Sequence, residues 1–360
     1  MDTTIEIEKI TPRKIESIVN NPEKAATAVH LSYVTDSEEG ISRVKNGKDF
    51  SYTLKNKKLR DKNVLRRIKS LVIPPAWENV WICRLENGHL QATGLDVKKR
   101  KQYKYHPLWN ALRNHTKYYR LLAFGKALPV IREQVEKDLG LPGMPAEKVL
   151  ALVVSIMERT HIRSGNNFYE KLYGSFGLTT LKDKHVGING HTVRFSFRGK
   201  KGIEHNISLK SKKLAALVKK SKDIPGKELF QYYDETGTRK AIDSGMVNDY
   251  IKKLSGGDFT SKDFRTWAGT VHAFITLKEA CGFSSAAECK KKVVEALDSV
   301  AQHLGNTRAV CKKYYVHPSV IAHYENKSLE KFINGHRASK KANSSLSIEE
   351  NAVLKLLEKG

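Results

Sequence analysis

Four residues that lie far apart along the chain are of the types needed to break a phosphodiester bond without a metal. Tyr315 supplies a phenol, and Arg163, Lys200 and Arg265 supply three cations. A phenolate can attack phosphorus as a nucleophile, and the planar guanidinium of arginine matches the oxygens of a phosphate. We therefore expect these four side chains to act together on a nucleic-acid backbone.

Each of these residues, taken alone, also has a plainer interpretation. The chain has 14 tyrosines, and most tyrosines pack in a core. An arginine at the end of a helix is most often solvated or in a surface ion pair, and a lysine at a hairpin tip normally faces water. Tyr314 directly precedes Tyr315, and Lys201 directly follows Lys200. The candidate tyrosine and the candidate lysine therefore each have an adjacent residue of the same type as an alternative.

The composition indicates a polyanionic partner. The 360 residues carry 64 Lys and Arg against 38 Asp and Glu, a formal net charge of +26, which favours binding to nucleic acid. A basic protein without such a partner and a protein on an anionic membrane surface are the alternatives. No lipidation motif supports the membrane surface, so we expect no membrane partner.

No motif in the sequence indicates a cofactor. Walker A, dinucleotide-binding and His-Glu-x-x-His motifs are absent, and the four cysteines include no Cys-x-x-Cys pair. We expect no cofactor, no metal and a reducing compartment. The sequence also shows no signal peptide and no apolar run long enough to cross a bilayer, which predicts a cytoplasmic location.

The first third of the chain is predicted to be β-rich. Strand-like segments around Asn46-Gly47 and Asn87-Gly88 predict two hairpins, and a basic helix over 61–71 lies between them. We expect residues 1–30 to be an extension and 31–110 to be a small antiparallel sheet domain.

The segment Gln102-Tyr103-Lys104-Tyr105 is a candidate for contact with nucleic acid. In a strand, Tyr103 and Tyr105 share one face and Lys104 points away from it. Basic residues interleaved with tyrosines suit phosphate contacts, and Gln102 can reach a base edge. A sheet whose aromatic face packs on a core is the alternative.

Pro107 begins a mostly helical region, which we expect to form one domain over 111–332. Periodicity and capping residues predict helices at 108–123, 130–139, 146–163, 214–220, 245–254, 261–280 and 286–304. Gly140 and Gly305 lie where C-terminal caps belong. A three-stranded meander is predicted over 186–209, with Gly199-Lys200-Lys201-Gly202 as a hairpin loop. Residues 333–360 are predicted to be a polar, basic tail in which Ser347 and Glu350 cap one short helix.

Taken together, the motifs resemble the type IB DNA topoisomerase family, in its small poxvirus and bacterial branch. The resemblance extends from about residue 31 to 332. Single motifs are weak, but here six occur in the same order. They are Ile73-Pro74-Pro75-Ala76-Trp77, Lys101-Gln102-Tyr103-Lys104-Tyr105, Ile162-Arg163-x-Gly165, Gly177-Leu178-x-Thr180-Leu181-Lys182-x-Lys184-His185 with Phe197-x-Gly199-Lys200, Lys262-Asp263-Phe264-Arg265-Thr266, and Tyr315 nine residues after position 306.

The resemblance implies an α+β fold that clamps duplex DNA: a small antiparallel β-sheet N-terminal domain and a mostly α-helical catalytic domain with a three-stranded sheet, like that of tyrosine recombinases. It implies Tyr315 as nucleophile and Lys200 as general acid, with Arg163, Arg265 and Asn306 holding the phosphate. The DNA contacts that it implies are made by Lys101, Gln102, Tyr103, Tyr105 and Tyr169. A monomer acting on double-stranded DNA, without a cofactor and associated with the bacterial nucleoid, is expected.

Position 306 distinguishes the two branches of this family. The poxvirus members carry a histidine there, and the asparagine of this chain resembles the bacterial branch. An amide can donate a hydrogen bond to phosphate but cannot titrate, so we expect no histidine-type pH dependence from Asn306.

Two other functions remain as alternatives. A tyrosine recombinase uses the same chemistry, but its second arginine motif usually reads His-x-x-Arg, and this chain has Lys262 at the histidine position. Its Ile-Pro-Pro-x-Trp segment also resembles the topoisomerases. A basic DNA-binding protein without activity would not need the ordered set of arginines, lysine and tyrosine.

Overall fold

The computed structural model describes residues 17–18, 21–47, 49–97, 99, 101–280, 282–333 and 345–359. The chain divides into two compact units, Met1–Arg120 and Leu121–Gly360. It is mixed, with 52% helix and antiparallel sheets, which confirms the predicted α+β class. No helix within the described part of the chain is long and apolar enough to span a membrane.

The first unit is built around a six-stranded antiparallel sheet. Its strands are β1 (Ile41–Asn46), β2 (Asp49–Leu54), β3 (Lys57–Lys58), β4 (Glu78–Ile82), β5 (Leu90–Leu95) and β6 (Lys101–Tyr105). They lie in the order β3-β2-β1-β4-β5-β6, so the first hairpin is joined to the second through the pairing of β1 with β4. Both predicted hairpins are present. The sequence pattern predicts that this strand covers 80–85, but β4 ends at Ile82, because the Leu85 carbonyl accepts a hydrogen bond from the Gly88 amide in the turn.

The described part of this unit also contains the helices α1 (Pro22–Thr27) and α2 (Lys62–Ser70). Asp61 begins α2 by accepting hydrogen bonds from the amides of Asn63 (2.8 Å) and Val64 (3.2 Å), which are otherwise unpaired at a helix start. Ile68 of α2 is buried in the same cluster as Ile41 and Ile82 of the sheet. The helix therefore buries an apolar face on the sheet and leaves basic residues outside.

The second unit is mostly helical. After α3 (Pro107–Asp138), which spans the boundary between the units, its helices are α4 (Ala146–Thr160), α5 (Asn167–Tyr173), α6 (Lys212–Lys222), α7 (Ser244–Ser255), α8 (Ser261–Glu279), α9 (Ala286–Leu304), α10 (Arg308–Tyr314), α11 (Pro318–Glu325), α12 (Glu330–Ile333) and α13 (Ile348–Lys359). Helix α4 is buried on nearly every side from Lys148 to Met157. It lies at the centre of the main core.

Two small sheets complete the second unit. The predicted meander is present as β7 (Val186–Asn189), β8 (Thr192–Arg198) and β9 (Glu204–Lys210), and a further hairpin pairs β10 (Gln231–Tyr233) with β11 (Arg239–Ala241). Val193, Phe195 and Phe197 alternate on the buried face of β8, which is the pattern of a half-buried strand. This sheet carries the loop with Lys200.

The structure differs from the sequence prediction in helix α3. Two helices were expected, but one continues through Pro129. A proline inside a helix removes one hydrogen bond and costs about 3 kcal/mol. Phe124, Leu128 and Ile131 lie fully buried around this position, and their burial offsets that cost. The boundary between the two units, at Arg120 and Leu121, lies within this helix. The sequence pattern places it about ten residues earlier, at 110.

The end of the chain also differs from the prediction. Ser347 and Glu350 form the expected capping box, with hydrogen bonds of 2.8 and 3.1 Å. Helix α13, however, is not a polar tail, since Val353 and Leu356 are fully buried in the main core. The Glu350 carboxylate binds the Arg132 guanidinium through both oxygens, at 2.9 and 2.7 Å, and accepts a hydrogen bond from the indole of Trp267 at 3.0 Å. The core therefore includes the last helix.

Candidate active site

Arg163 is held by an extended segment rather than by a helix. Helix α4 was predicted to continue to this residue, but it ends at Thr160, where His161 adopts a left-handed conformation (φ 55°). The Arg163 carbonyl accepts a hydrogen bond from the Leu178 amide at 2.9 Å. A Cβ atom on Gly177 would lie 2.6 Å from that carbonyl oxygen, so this close backbone approach requires a glycine.

Arg265 lies in the second turn of α8 with only 4% of its surface exposed. The Asp263 carboxylate caps the start of this helix by accepting hydrogen bonds from the Thr260 amide at 2.8 Å and the Thr260 hydroxyl at 2.9 Å. The guanidinium donates to two backbone carbonyls, those of His161 and of Leu304, the latter at 2.7 Å. Both carbonyls lie at the ends of helices, α4 and α9, so the chain fixes this side chain from two directions.

Asn306 follows Gly305, which ends α9 in the left-handed conformation (φ 59°) as predicted. Its Oδ1 accepts a hydrogen bond of 2.7 Å from Arg163. Since a guanidinium can only donate, the amide oxygen must face Arg163 and the NH₂ group is turned elsewhere. The NH₂ group donates a long hydrogen bond of 3.5 Å to the Leu304 carbonyl, so its second N–H is the one left for an acceptor such as a phosphate oxygen.

Tyr315 lies at the end of α10, half-buried, with its ring centroid 5.3 Å from the Arg265 guanidinium carbon. The neighbouring Tyr314 is 39% exposed and lies beside Lys313 instead. The structure thus places one tyrosine of the pair, Tyr315, against a predicted site arginine.

The two arginines, Arg265 buried and Arg163 partly buried, are cations without a carboxylate partner among the described residues. Neither Arg163 nor Arg265 forms an ion pair in the part of the chain that the structure describes, and Nε of Arg265 is buried without a hydrogen-bond partner there. Burial lowers the pKa of both guanidiniums, and for Arg163 the charge of Arg265 lowers the pKa further. Uncompensated buried charge is costly, so this arrangement favours an anionic ligand.

Lys200 is not in contact with the other candidates. It is exposed in the loop between β8 and β9, and it makes no hydrogen bond or ion pair within the described residues. Lys201 beside it adopts a left-handed conformation (φ 62°) and is also exposed. The structure therefore brings together Arg163, Arg265, Asn306 and Tyr315, but not the lysine.

The predicted DNA-contacting residues of the first unit lie on β6. Tyr103 and Tyr105 share one face, as predicted, with their rings stacked at 6.0 Å. Lys101 forms an ion pair of 2.5 Å with Asp36, and Gln102 donates a hydrogen bond of 2.9 Å to Asp96. Both side chains would have to leave a carboxylate in order to bind DNA.

Tyr169 is the predicted DNA contact in the second unit. It lies on α5, is 38% exposed, and its ring is 6.0 Å from that of Tyr173.

Sequence reasoning missed the residues that seat the nucleophile segment. A Cβ atom on Gly269 of α8 would lie 2.6 Å from the Tyr315 carbonyl oxygen. The hydroxyl of Thr270, also on α8, donates to that oxygen at 3.3 Å and accepts from the His317 amide at 3.2 Å. Gly269 and Thr270 lie one helical turn after Arg265, and this spacing is the only signal that the sequence offered.

The comparisons with known proteins cover both units. Residues 99–342 match the family described as "Eukaryotic DNA topoisomerase I, catalytic core", and residues 49–96 match "Bacterial DNA topoisomerase IB, N-terminal domain". DNA topoisomerase 1B of Acanthamoeba polyphaga mimivirus is 32% identical over 297 residues, which is 80% of this chain and 88% of the relative. This chain belongs to the type IB DNA topoisomerase family.

More distant members of the family match as well. DNA topoisomerase 1B of Vaccinia virus (strain Copenhagen) is 24% identical over 238 residues, 65% of this chain and 72% of the relative. DNA topoisomerase I of Monkeypox virus is 24% identical over 241 residues, with the same two shares. The matched family core contains the four residues that the structure brings together.

Proposed function

We propose that the protein relaxes supercoiled double-stranded DNA without ATP or a metal, by nicking one strand, allowing it to rotate and resealing it. The observation that carries this proposal is a pair of neighbouring arginines, Arg265 buried against the Tyr315 ring and Arg163 partly buried, which have no carboxylate partner among the described residues. A phosphodiester in this place would supply the missing negative charge and lie next to a phenol. Membership of the type IB topoisomerase family supports it.

In the proposed reaction, the Tyr315 hydroxyl gives up its proton to solvent, and its oxygen attacks a backbone phosphorus in line with the 5′-oxygen. The new bond is a 3′-phosphotyrosyl ester, and the bond to the 5′-oxygen breaks. Arg163, Arg265 and the amide of Asn306 hold the nonbridging oxygens as charge builds up, a role in which one donor contributes roughly 10²–10³ in rate. The same groups reverse the reaction after rotation. The phosphotyrosyl bond conserves the bond energy, so no ATP is consumed.

Lys200 is the proposed general acid for the leaving 5′-oxygen. Its exposed position in the β8–β9 loop supports a lysine that reaches the site when DNA is present. Proton transfer from a positioned acid contributes roughly 10²–10⁴ in rate. The proton passes from the ammonium to the 5′-oxygen and returns to the lysine on religation.

Lys101, Gln102, Tyr103 and Tyr105 of β6, with Tyr169 of α5, are the proposed DNA contacts. We infer that Gln102 reads a base and that the tyrosines bind phosphates. The match of residues 49–96 to a bacterial domain supports a bacterial source and chromosomal DNA in the nucleoid as substrate for a monomeric enzyme.

Relaxation of a negatively supercoiled plasmid, in EDTA and without ATP, tests this function. We expect the wild type to relax the plasmid fully and Tyr315→Phe to leave it supercoiled. A requirement for Mg²⁺ or ATP would contradict the proposal. Recombination between paired DNA sites without relaxation would indicate a tyrosine recombinase. DNA binding without any change in linking number would indicate a non-catalytic DNA-binding protein.

A further inference from the structure

His205 lies in the hairpin that carries Lys200 but has no part in the reaction described above. It belongs to β9 and pairs directly across from Phe197 of β8. The two rings stack, with centroids 5.0 Å apart and an angle of 23° between the planes. The position of the imidazole is therefore fixed by the sheet on one side.

The same ring is packed against two glycines, each of which directly precedes a proposed catalytic residue. A Cβ atom on Gly199 would lie 2.5 Å from Cδ2 of His205, and one on Gly305 would lie 2.9 Å from Cε1. Contacts below 3.0 Å do not occur for real Cβ atoms, so the ring occupies space that only glycine leaves open. Gly199 precedes Lys200, and Gly305 precedes Asn306.

Gly199 shows that the ring, and not the backbone, excludes a side chain. Its φ of −96° and ψ of −163° lie in the extended region, which any residue adopts. Gly305 has a left-handed φ of 59° and would favour glycine for that reason too. At position 199, therefore, the close approach of His205 is the main reason for a glycine.

The electrostatic surroundings place His205 close to the phosphate-binding groups. Burial lowers the pKa of its imidazole, and the positive charges of Arg163 and Arg265 lower it further, while Glu204 acts in the opposite direction. A neutral ring adds no charge to a site that already holds two cations. Its contribution is therefore steric.

We propose that His205 is a positioning residue that holds the Lys200 loop at a fixed place relative to Asn306. The ring lies between Gly199 and Gly305, so it transmits the position of the phosphate-binding segment to the loop. This inference rests on the proposed role of Lys200 as general acid. A displacement of about 1 Å in a reacting group can lower a rate by ~10²-fold, so the packing of this one ring matters for proton transfer.

Single-turnover cleavage of two suicide substrates tests the inference, one with the ordinary 5′-bridging oxygen and one with sulfur in its place. Sulfur is a better leaving group and needs no acid. We expect His205→Ala to cleave the oxygen substrate ~10- to 100-fold slower than the wild type and the sulfur substrate within ~3-fold of it. His191→Ala is the matched control, since His191 is an exposed histidine in the turn before β8, and it should match the wild type on both.

A second pair of variants tests the packing itself. Gly199→Ala should slow the oxygen substrate, because the new methyl group collides with the ring. Removing the ring gives that methyl group room, so the double variant Gly199→Ala/His205→Ala should be no slower than the slower single variant. Multiplied losses in the double variant would overturn the inference, because they would mean that the two residues act independently.

Two other outcomes would also overturn it. Equal losses of His205→Ala on the oxygen and sulfur substrates would mean that the ring acts on the phosphate or on folding, and unchanged rates would mean that it has no role. Lys200→Ala, measured in the same assay, separates this from the proposed function. If sulfur rescues Lys200→Ala but His205→Ala shows equal losses on both substrates or unchanged rates, only the inference about His205 fails. If sulfur does not rescue Lys200→Ala, the proposed role of Lys200 as general acid fails.

Discussion

Arg163 and Arg265 are surrounded by carbonyl and amide oxygens, which accept hydrogen bonds without neutralising a positive charge. This is the arrangement expected where the counter-charge arrives with a ligand. Each hydrogen bond also fixes the direction of the planar guanidinium, which leaves less reorganisation for the transition state. The geometry of these two residues is therefore suited to an anionic ligand, as the proposed phosphate contact requires.

Removing either arginine should slow cleavage whatever the leaving group is. We expect Arg163→Ala and Arg265→Ala to lose roughly 10²–10³ in single-turnover rate on both the oxygen and the sulfur substrates, since the proposed role of both residues is to stabilise charge on phosphorus. Arg159→Ala is a suitable control, because Arg159 is an exposed arginine at the end of α4 and should keep the wild-type rate. Rescue of either arginine variant by sulfur would instead assign it to the leaving group.

The sequence predicted the identities of the site residues better than their surroundings. The motifs around Arg163, Arg265 and Tyr315 were sufficient to select the side chains that the structure brings together. The motif around Arg265 gave no reason for a glycine at position 269. The contact of Gly269 with the Tyr315 carbonyl joins residues 46 positions apart, which a local motif does not show. The roles of all these residues in the reaction stay predictions.

At the scale of elements, three histidines connect the helices around Arg265. His303 of α9 lies with its ring centroid 4.6 Å from that of His161, the residue after α4, and 4.2 Å from that of His272 on α8. Burial lowers the pKa of all three, to about 3 for His161. The histidines are therefore neutral in the folded protein at pH 7.

This histidine stack should make the protein less stable in mild acid. The unfolded chain binds protons at each histidine near pH 6.5, whereas the folded chain resists protonation to lower pH. The stabilisation is thus complete above about pH 6.5 and is lost as the pH falls towards the lowered pKa of each histidine, with the largest part from His161, whose pKa is lowered the furthest. Urea unfolding at pH 7, 6 and 5 measures this slope, and His303→Leu should reduce it. An unchanged slope in His303→Leu would contradict this explanation.

Helix α13 should be required for stability, since its Glu350 occupies a buried network with Arg132 and Trp267. Glu350→Ala leaves the Arg132 charge with fewer partners and should cost about 3–5 kcal/mol of unfolding free energy. Glu358 of the same helix also pairs with a cation of α3, Lys126 at 3.0 Å, but at the surface. Glu358→Ala should therefore cost at most about 1 kcal/mol. Equal effects of the two substitutions would show that the network is not what anchors the helix.

The elements that sequence patterns could not predict are those decided by distant contacts. Pro129 normally ends a helix, but buried Phe124 and Ile131 carry α3 past it. Helix α13 belongs to a polar sequence, and its burial depends on Arg132, more than 200 residues earlier. By contrast, α9 has the bounds that its periodicity and the cap at Gly305 predicted, because those signals are local.

At the scale of the whole molecule, the net charge of +26 should make DNA binding strongly dependent on salt. Contacts with about 6–10 phosphates release that many bound counterions, so the affinity for duplex DNA should fall by roughly 10³–10⁵ between 50 and 200 mM salt. Fluorescence anisotropy with Tyr315→Phe measures this without cleavage. An affinity that does not change with salt would contradict binding through the DNA backbone.

In the proposed reaction, Tyr315 forms a covalent bond with DNA without a metal or ATP. Incubation with a suicide duplex in EDTA, followed by proteolysis and mass spectrometry of the trapped peptide, tests it most directly. We expect the nucleotide to be attached to Tyr315, Tyr315→Phe to give no adduct while still binding DNA, and Tyr314→Phe to give the normal amount. An adduct on Tyr314, or none without a divalent cation, would contradict it.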